Sequence, residues 1–331
     1  MKNRYWIVLV LVAVLVVTYF TGPVPEEPEY DLQLPKIASS LTELEDHIND
    51  SESKKPTRKN NQARIEWYGE TPGKTEYSII YLHGFAGSYR DGYPVNKNIA
   101  KKLNANIYYA RWAGHGLEPQ ASLDDFNGEN AWKSAKEALA IGKQIGENVI
   151  IMSTSTGGTL AFKLAAEYPE DVYALINMGP NLEDDQPGTF VLSTPWGYEI
   201  ASLISFGDNR KIEHKQRIAT QYWDTIYPSR ALVDLQVLVE TTMIPETFKK
   251  VHCPVLTLYY HKNFIQEDEH VEVDIYENIH KLLSTPDSMV VLKPLATPET
   301  HFVGSDIKSK DTEIVEKAIE EFLRNKLDIN I

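Results

Sequence analysis

One stretch constrains the fold more than any other part of the chain: Val149-Ile150-Ile151-Met152-Ser153-Thr154-Ser155-Thr156-Gly157-Gly158-Thr159-Leu160-Ala161. Residues 149–152 are wholly apolar and read as a buried strand, and residues 156–167 follow as a helix. A strand running straight into a helix is the first half of a βαβ unit. Small residues surround Ser155 because so tight a turn brings backbone and neighbouring chain close, where side-chain bulk would collide. Ser155 is thereby held at the turn tip, beside a helix N-terminus whose free N–H groups and dipole favour developing negative charge.

The rest of the chain keeps this rhythm. Residues 40–49, 94–103, 131–145 and 312–327 have helical spacing, the last with Ile314, Val315, Ala318, Ile319, Phe322 and Leu323 on one stripe. Short apolar runs at 106–110, 172–178, 255–260 and 289–292 read as strands, so a mostly parallel sheet is expected. Residues 63–68 and 76–82, separated by Gly69-Glu70-Thr71-Pro72-Gly73, read as a hairpin ahead of it. The alternation breaks between about 181 and 250, where Trp196, Tyr198, Tyr222, Trp223 and the periodic Leu232, Leu235, Val237 and Leu238 suggest helices inserted as a cap.

The N-terminus has a different character. No charged residue occurs between Arg4 and Glu26, and residues 5–20 are almost wholly aliphatic and aromatic. Those residues rise about 24 Å as a helix against a bilayer core of about 30 Å, so a span needs the flanks as far as Gly22. Lys2 and Arg4 precede the run and Glu26, Glu27 and Glu29 follow it, which puts the N-terminus in the cytoplasm and the remainder on the periplasmic or extracellular side. The exit at 17–22 has bulky residues where signal-peptide cleavage wants small ones, favouring an uncleaved anchor over a removed signal and a secreted product. Residues 1–22 are therefore read as a membrane anchor or signal segment, 23–62 as a Pro- and acid-rich linker with a short helix, and 63–331 as the folded domain with its cap. A formal charge of −14 repels phosphate backbones and argues against nucleic acid as a partner. The single cysteine, Cys253, excludes an internal disulfide and reads as a buried packing residue.

The strand, the Ser-x-Ser-x-Gly-Gly turn at 153–158 and the following helix together resemble the α/β-hydrolase superfamily, in particular its lipase and carboxylesterase branch with a helical cap. The similarity extends over about residues 63–327 and implies a parallel sheet with helices on both faces. Ser153 stands where the usual Gly-x-Ser-x-Gly motif has its first glycine. Ile79-Ile80-Tyr81-Leu82-His83-Gly84-Phe85 matches the superfamily's strand followed by His-Gly, and Gly114-His115-Gly116 its next loop. By that resemblance Ser155 is the nucleophile, and the oxyanion is held by the backbone N–H groups of Phe85 and Thr156. His83 and His115 are structural. The base and acid follow in the order Ser, acid, His. His301, in the loop after the strand at 289–292, takes the role of base, whereas His280 reads as a surface residue on a helix at 274–283. For the acid, a typical member places it near Asn263, but members with a longer loop align Asp268 with the role, with Glu267 as the alternative.

The resemblance implies a serine hydrolase that cleaves carboxylic esters through an acyl-enzyme, with lipid or monoacylglycerol-like esters among its substrates. Two alternatives share these residues: a non-catalytic, membrane-tethered binding protein that keeps the scaffold, and an acyltransferase using the same triad. No metal, nucleotide or flavin motif is present, so no cofactor is expected. The oligomeric state is left open.

Overall fold

Central strands are apolar at successive positions because helices cover both faces of the sheet. In the computed structural model, which describes residues 2–38, 40–183 and 189–331 (side chains from residue 5 onward), the strands are β1 (Arg64–Glu66), β2 (Thr75–Leu82), β3 (Asn106–Tyr109), β4 (Gly146–Thr154), β5 (Ala174–Met178), β6 (Asn209–Lys211), β7 (Ile226–Pro228), β8 (Val255–Asn263), β9 (Gln266–Glu267) and β10 (Val290–Leu295). The helices are α1 (Lys2–Phe20), α2 (Leu41–Ser53), α3 (Val95–Lys102), α4 (Gly128–Ile145), α5 (Thr156–Glu167), α6 (Gly197–Ile204), α7 (Ala219–Tyr222), α8 (Arg230–Thr242), α9 (Pro245–Lys249), α10 (Tyr276–His280) and α11 (Thr312–Leu327). Eight strands form one sheet in the order β1-β3-β2-β4-β5-β8-β10, with β9 antiparallel to β8. From β3 to β10 every pairing is parallel.

The two-residue period of the strands sorts side chains between the faces. Ile80, Leu82, Val149 and Ile151 join one core with residues of α2, α4 and α5, while Ile79, Tyr81, Ile150 and Met152 join the other with residues of α3 and α11. The helices expected at 156–167 and 312–327 have those bounds. α4 begins three residues earlier than its apolar pattern, because the Asn127 side chain accepts the Asn130 N–H at 2.8 Å and caps the helix there.

Residues 63–68 and 76–82 do not form the expected hairpin. β1 pairs antiparallel with β3, Ile65 opposite Tyr108, while β2 lies parallel between β3 and β4. β2 is buried from Ser78 to Leu82 and takes a central position. β1 is half-buried along its length and suits an edge, where the Arg64 guanidinium lies 4.2 and 4.5 Å from the ring centres of Tyr89 and Tyr109. The interval expected as a cap, of which residues 184–188 lie outside the description, contains α6, α7, α8 and α9 and the antiparallel pair β6–β7, Arg210 opposite Tyr227. Leu192, Ala201, Val233 and Val237 make a small core within it. Cys253 is buried as expected, and burial pushes its thiol up to about 12.

α1 carries its apolar residues exposed, Trp6 and Leu15 at 68% each. Among the described residues no helix is long and apolar enough to cross a membrane, so the expected span is not borne out. Residues 23–38 form no helix or strand, but they are tied to the domain. Trp132 Nε1 donates to Asp31 O at 2.7 Å, and the Tyr168 hydroxyl donates to Leu32 O at 2.8 Å. Residues 41–62 add two buried ion pairs. Glu52 accepts Nε and Nη2 of Arg111 at 2.7 and 2.8 Å and the Ala63 N–H at 3.0 Å. Burial pushes the Glu52 carboxyl up, yet these bonds outweigh it and hold the group below its usual range. Arg58 reaches the cap, Nη2 donating to Asp224 Oδ1 at 2.7 Å and Nη1 to Trp223 O at 2.8 Å.

Removing one partner from a buried pair leaves an uncompensated charge. Arg111→Met is expected to lower unfolding stability by about 3 kcal/mol. Urea titration would show a lower midpoint at unchanged slope.

Candidate active site

The turn at Ser155 is as tight as its composition requires. Ser155 has φ 53° and ψ −123°, in the left-handed half of backbone space where a side chain is strained by about 1–3 kcal/mol. Its own N–H donates to Met178 O at 3.2 Å, and its carbonyl accepts the N–H groups of Gly158 at 2.7 Å and Asn181 at 2.9 Å. These bonds to the ends of β5 and α5 hold the strained residue in place. A Cβ on Gly157 would lie 2.0 Å from Leu82 O, and one on Gly158 would lie 2.3 Å from Pro180 Cβ. Glycine at these positions lets α5 start against the end of β2 and against Pro180 after β5. Ser153, in place of the usual glycine, is fully buried and donates to Asn177 Oδ1 at 2.6 Å. Its hydroxyl is used inside the sheet, so the departure from the pattern leaves the turn intact.

Asp268 and His301 meet beside this turn. Asp268 follows β9, and its N–H donates to Tyr260 O at 3.1 Å. Its Oδ1 accepts the His270 N–H at 2.9 Å, and its Oδ2 lies 2.7 Å from His301 Nδ1. Both side chains are almost fully buried. Burial pushes the Asp268 carboxyl up, but His301 and the hydrogen bonds outweigh it and hold the group below its usual value. An ionised carboxylate only accepts, so His301 Nδ1 carries a proton toward Asp268, which leaves Nε2 as the ring nitrogen free to exchange one. Nε2 is buried without a hydrogen-bond partner among the described residues. Gly179, at φ 55°, makes room for the pair: a Cβ there would lie 3.1 Å from His301 Nδ1 and 3.3 Å from Asp268 Oδ2.

The other acid candidates are engaged elsewhere. Glu267 Oε2 lies 3.1 Å from His261 Nδ1, and Asn263 Oδ1 accepts the Ile265 and Gln266 N–H groups in the exposed β8–β9 turn. His280, read as a surface residue, is half-buried instead. Its Nε2 lies 2.9 Å from Thr257 Oγ1 and its Nδ1 2.5 Å from Tyr276 O, which ties α10 to β8.

The loop after β2 supplies the opposite wall. Phe85 packs its ring edge-on against His115, Phe126 and Tyr227, with centroids 5.9, 5.2 and 5.4 Å away. Thr156 is the first residue of α5, where helix N–H groups have no intrahelical acceptor. His83 Nδ1 lies 2.8 Å from Gly84 O, and the His83 ring stacks on Trp112 at 4.7 Å. Burial lowers His83 to about 4, so it is a neutral donor to that carbonyl at pH 7. His115 Nδ1 bonds Ala113 O at 3.0 Å, and burial holds it well below its usual value. Both histidines are structural, as expected. In a trans peptide the N–H points away from the preceding C=O, so anchoring Gly84 O aims the Phe85 N–H the other way.

Three further groups stand near this site, of which only Trp223, as a cap residue, is singled out from the sequence. His270 packs edge-on against His301 at 5.0 Å and is lowered to about 4, first by burial and then by His301. Trp223 of the cap packs against Phe302 at 5.3 Å. Asp91, in a polar turn that carries no motif, is fully buried behind Gly84. Only the fold brings these segments together.

The family described as the alpha/beta hydrolase fold matches residues 77–249. Serine hydrolase BPHL of Homo sapiens is 27% identical over 120 residues, 35% of this chain, and the match spans 40% of that relative's length. Among solved structures, one from the metagenome-derived lipolytic enzymes LipS and LipT superposes with a TM-score of 0.65 at 16% identity, covering 81% of this chain and 99% of that one. A soluble variant of monoglyceride lipase from Saccharomyces cerevisiae, in complex with a substrate analog, gives 0.59 at 12% identity, covering 92% and 99%. Monoacylglycerol lipase of Paleococcus ferrophilus gives 0.57 at 14%, covering 80% and 98%.

A proton shared over 2.7 Å between buried His301 and Asp268 is shielded from exchange with water. Proton NMR is expected to show a low-field imidazole resonance that disappears in Asp268→Ala and persists in Glu267→Ala. Its persistence in Asp268→Ala would reassign the partner of His301.

Proposed function

The chain belongs to the α/β-hydrolase family, and on that premise we propose that it is a serine hydrolase cleaving carboxylic esters through an acyl-enzyme on Ser155. The observation that carries this reading is the buried His301–Asp268 pair, whose Nε2 has no partner among the described residues and lies in the loop cluster that also holds the strained serine turn. Neutral His301 takes the Ser155 proton at Nε2, and the alkoxide attacks the acyl carbonyl. The N–H groups of Phe85 and Thr156 hold the oxyanion, with the N-terminus of α5 adding its dipole. The imidazolium then gives its proton to the leaving alcohol. Water, deprotonated by the same nitrogen, releases the acid. Asp268 keeps His301 in the tautomer that accepts at Nε2 and stabilises its cation.

An apolar acyl group suits the surroundings. Phe85, Phe126, Tyr227, Trp223 and Phe302 form aromatic contacts on both sides of the loop cluster. Together with the cap, this supports a lipid-like or monoacylglycerol-like ester as substrate.

Ser155→Ala is expected to abolish labelling by a serine-directed phosphonate and to lower ester hydrolysis by about 10⁴ or more. Ser153→Ala should keep the labelling. An unlabelled but folded wild-type protein would instead favour a non-catalytic binding module, and acyl transfer to an added alcohol in product analysis would favour an acyltransferase.

We further propose that α1 attaches the protein to the surface of a lipid bilayer. Its residues 5–20 are apolar and exposed, between basic residues before and acidic residues after. A helix apolar all round belongs in lipid or in a protein core. Full-length protein should remain with membranes through alkaline carbonate extraction, whereas a chain beginning at residue 23 should not. Release of the full-length chain by carbonate would overturn the tether.

A further inference from the structure

Behind the loop that follows β2 lies a buried carboxyl group that the mechanism above does not use. Asp91 ends a short 3-10 turn, Tyr89–Asp91, and its side chain is fully buried. Oδ2 accepts the Gly84 N–H at 2.6 Å, and Oδ1 accepts the Tyr81 hydroxyl. The Tyr81 oxygen also lies 2.8 Å from Thr154 Oγ1, the residue just before Ser155. Since the Tyr81 proton goes to Asp91, the Thr154 hydroxyl donates to Tyr81. An unbroken chain of hydrogen bonds thus runs from Gly84 through Asp91 and Tyr81 to Thr154.

The loop is folded closely around this carboxyl group. A Cβ on Gly87 would lie 3.1 Å from Asp91 Oδ2 and 3.2 Å from Gly84 O, and a Cβ on Gly84 would lie 3.0 Å from Ser155 Cβ and 3.3 Å from Asp91 Oδ2. Gly84 is held at both ends: its N–H by Asp91, and its C=O by the Gly87 N–H at 3.2 Å and by His83 Nδ1. Those bonds fix the peptide that carries the Phe85 N–H. The second proposed donor, Thr156, is two residues past Thr154, at the other end of the chain. Burial raises the Asp91 carboxyl to about 7. When neutral it still accepts Gly84 N–H at one oxygen and can donate its own proton to Tyr81, so the tie survives protonation.

We infer that Asp91 is a positioning residue that, through Gly84 on one side and Tyr81 and Thr154 on the other, sets the spacing between the Phe85 and Thr156 N–H groups that hold the oxyanion. The inference rests on the serine-hydrolase reading. It adds a residue that touches neither substrate nor nucleophile and acts on the transition state through the geometry of two donors. Loss of a whole oxyanion donor costs about 10²–10³ in kcat, and misplacing one costs part of that.

The test compares Asp91→Ala, Asp91→Asn and Tyr81→Phe with wild type, using a short-chain p-nitrophenyl ester, with folding checked by circular dichroism. Asp91→Ala is expected to lower kcat about 30-fold with KM within about twofold, because the interaction lost is felt mainly in the transition state. Asp91→Asn keeps an acceptor for Gly84 N–H and should recover kcat to within about fivefold of wild type. Tyr81→Phe cuts the link to Thr154 alone and is expected to lower kcat several-fold; it decides the matter if Asp91→Ala does not fold. Unchanged kcat in folded Asp91→Ala, a loss confined to KM, or, where Asp91→Ala does not fold, unchanged kcat in Tyr81→Phe overturns the inference while leaving the serine-hydrolase reading intact. Absence of both hydrolysis and Ser155 labelling in wild type overturns both.

Discussion

The approach of α5 to the end of β2 is the constraint on which the rest of the site depends. It is close enough that a Cβ on Gly157 would meet Leu82 O at 2.0 Å. The close approach puts the first N–H groups of α5 beside the loop after β2, and forces the residue between strand and helix to positive φ. Ser155 accepts that strain because three backbone bonds, to Met178, Gly158 and Asn181, over-determine its conformation. The same economy of space recurs at Gly179, Gly84 and Gly87, where a missing side chain lets a charged or strained group sit against backbone.

Buried polar groups then fix what apolar packing leaves free. Apolar contacts favour burial without favouring one orientation, whereas a buried hydrogen bond is costly to misplace. Asp268 orients His301, His83 and Asp91 hold the two ends of Gly84, and Ser153 binds Asn177 inside the sheet. Arg58 and Asp224 extend the arrangement to the cap, since Asp224 also donates its N–H to Ala86 O at 2.8 Å, within the loop that carries Phe85. The cap and the loop after β2 are therefore mechanically joined, and a segment far from the cap in sequence, residues 54–62, supplies the cation that joins them.

Local patterns were legible where one residue pattern permits one structure. The strand, Ser-rich turn and helix at 149–167 could be read because composition, period and turn chemistry agree there. The hairpin expected at 63–82 shows the opposite case. A Gly/Pro turn between two β-branched runs permits a tight return but does not require it, and the competition among strands for the sheet centre decided that β1 pairs with β3. His280 was misread for a similar reason, because its helical spacing carries no information about Thr257, the partner that half-buries it. Asp91 had no signal at all, since an aspartate in a polar turn is the ordinary residue there.

By itself the sequence determined the βαβ layout, the serine at its turn, the histidine in the loop after the last strand and the apolar character of α1. Each of these follows from backbone period and side-chain size over a few neighbouring residues. Only the tertiary structure decided which acidic side chain meets His301, that Ser153 is turned into the sheet, and that Asp91 stands behind the Gly84 peptide. Such choices depend on contacts between residues on different elements, 7 to 33 positions apart, and on the cost of leaving a buried polar atom unpaired, which exists only once the chain has folded around it.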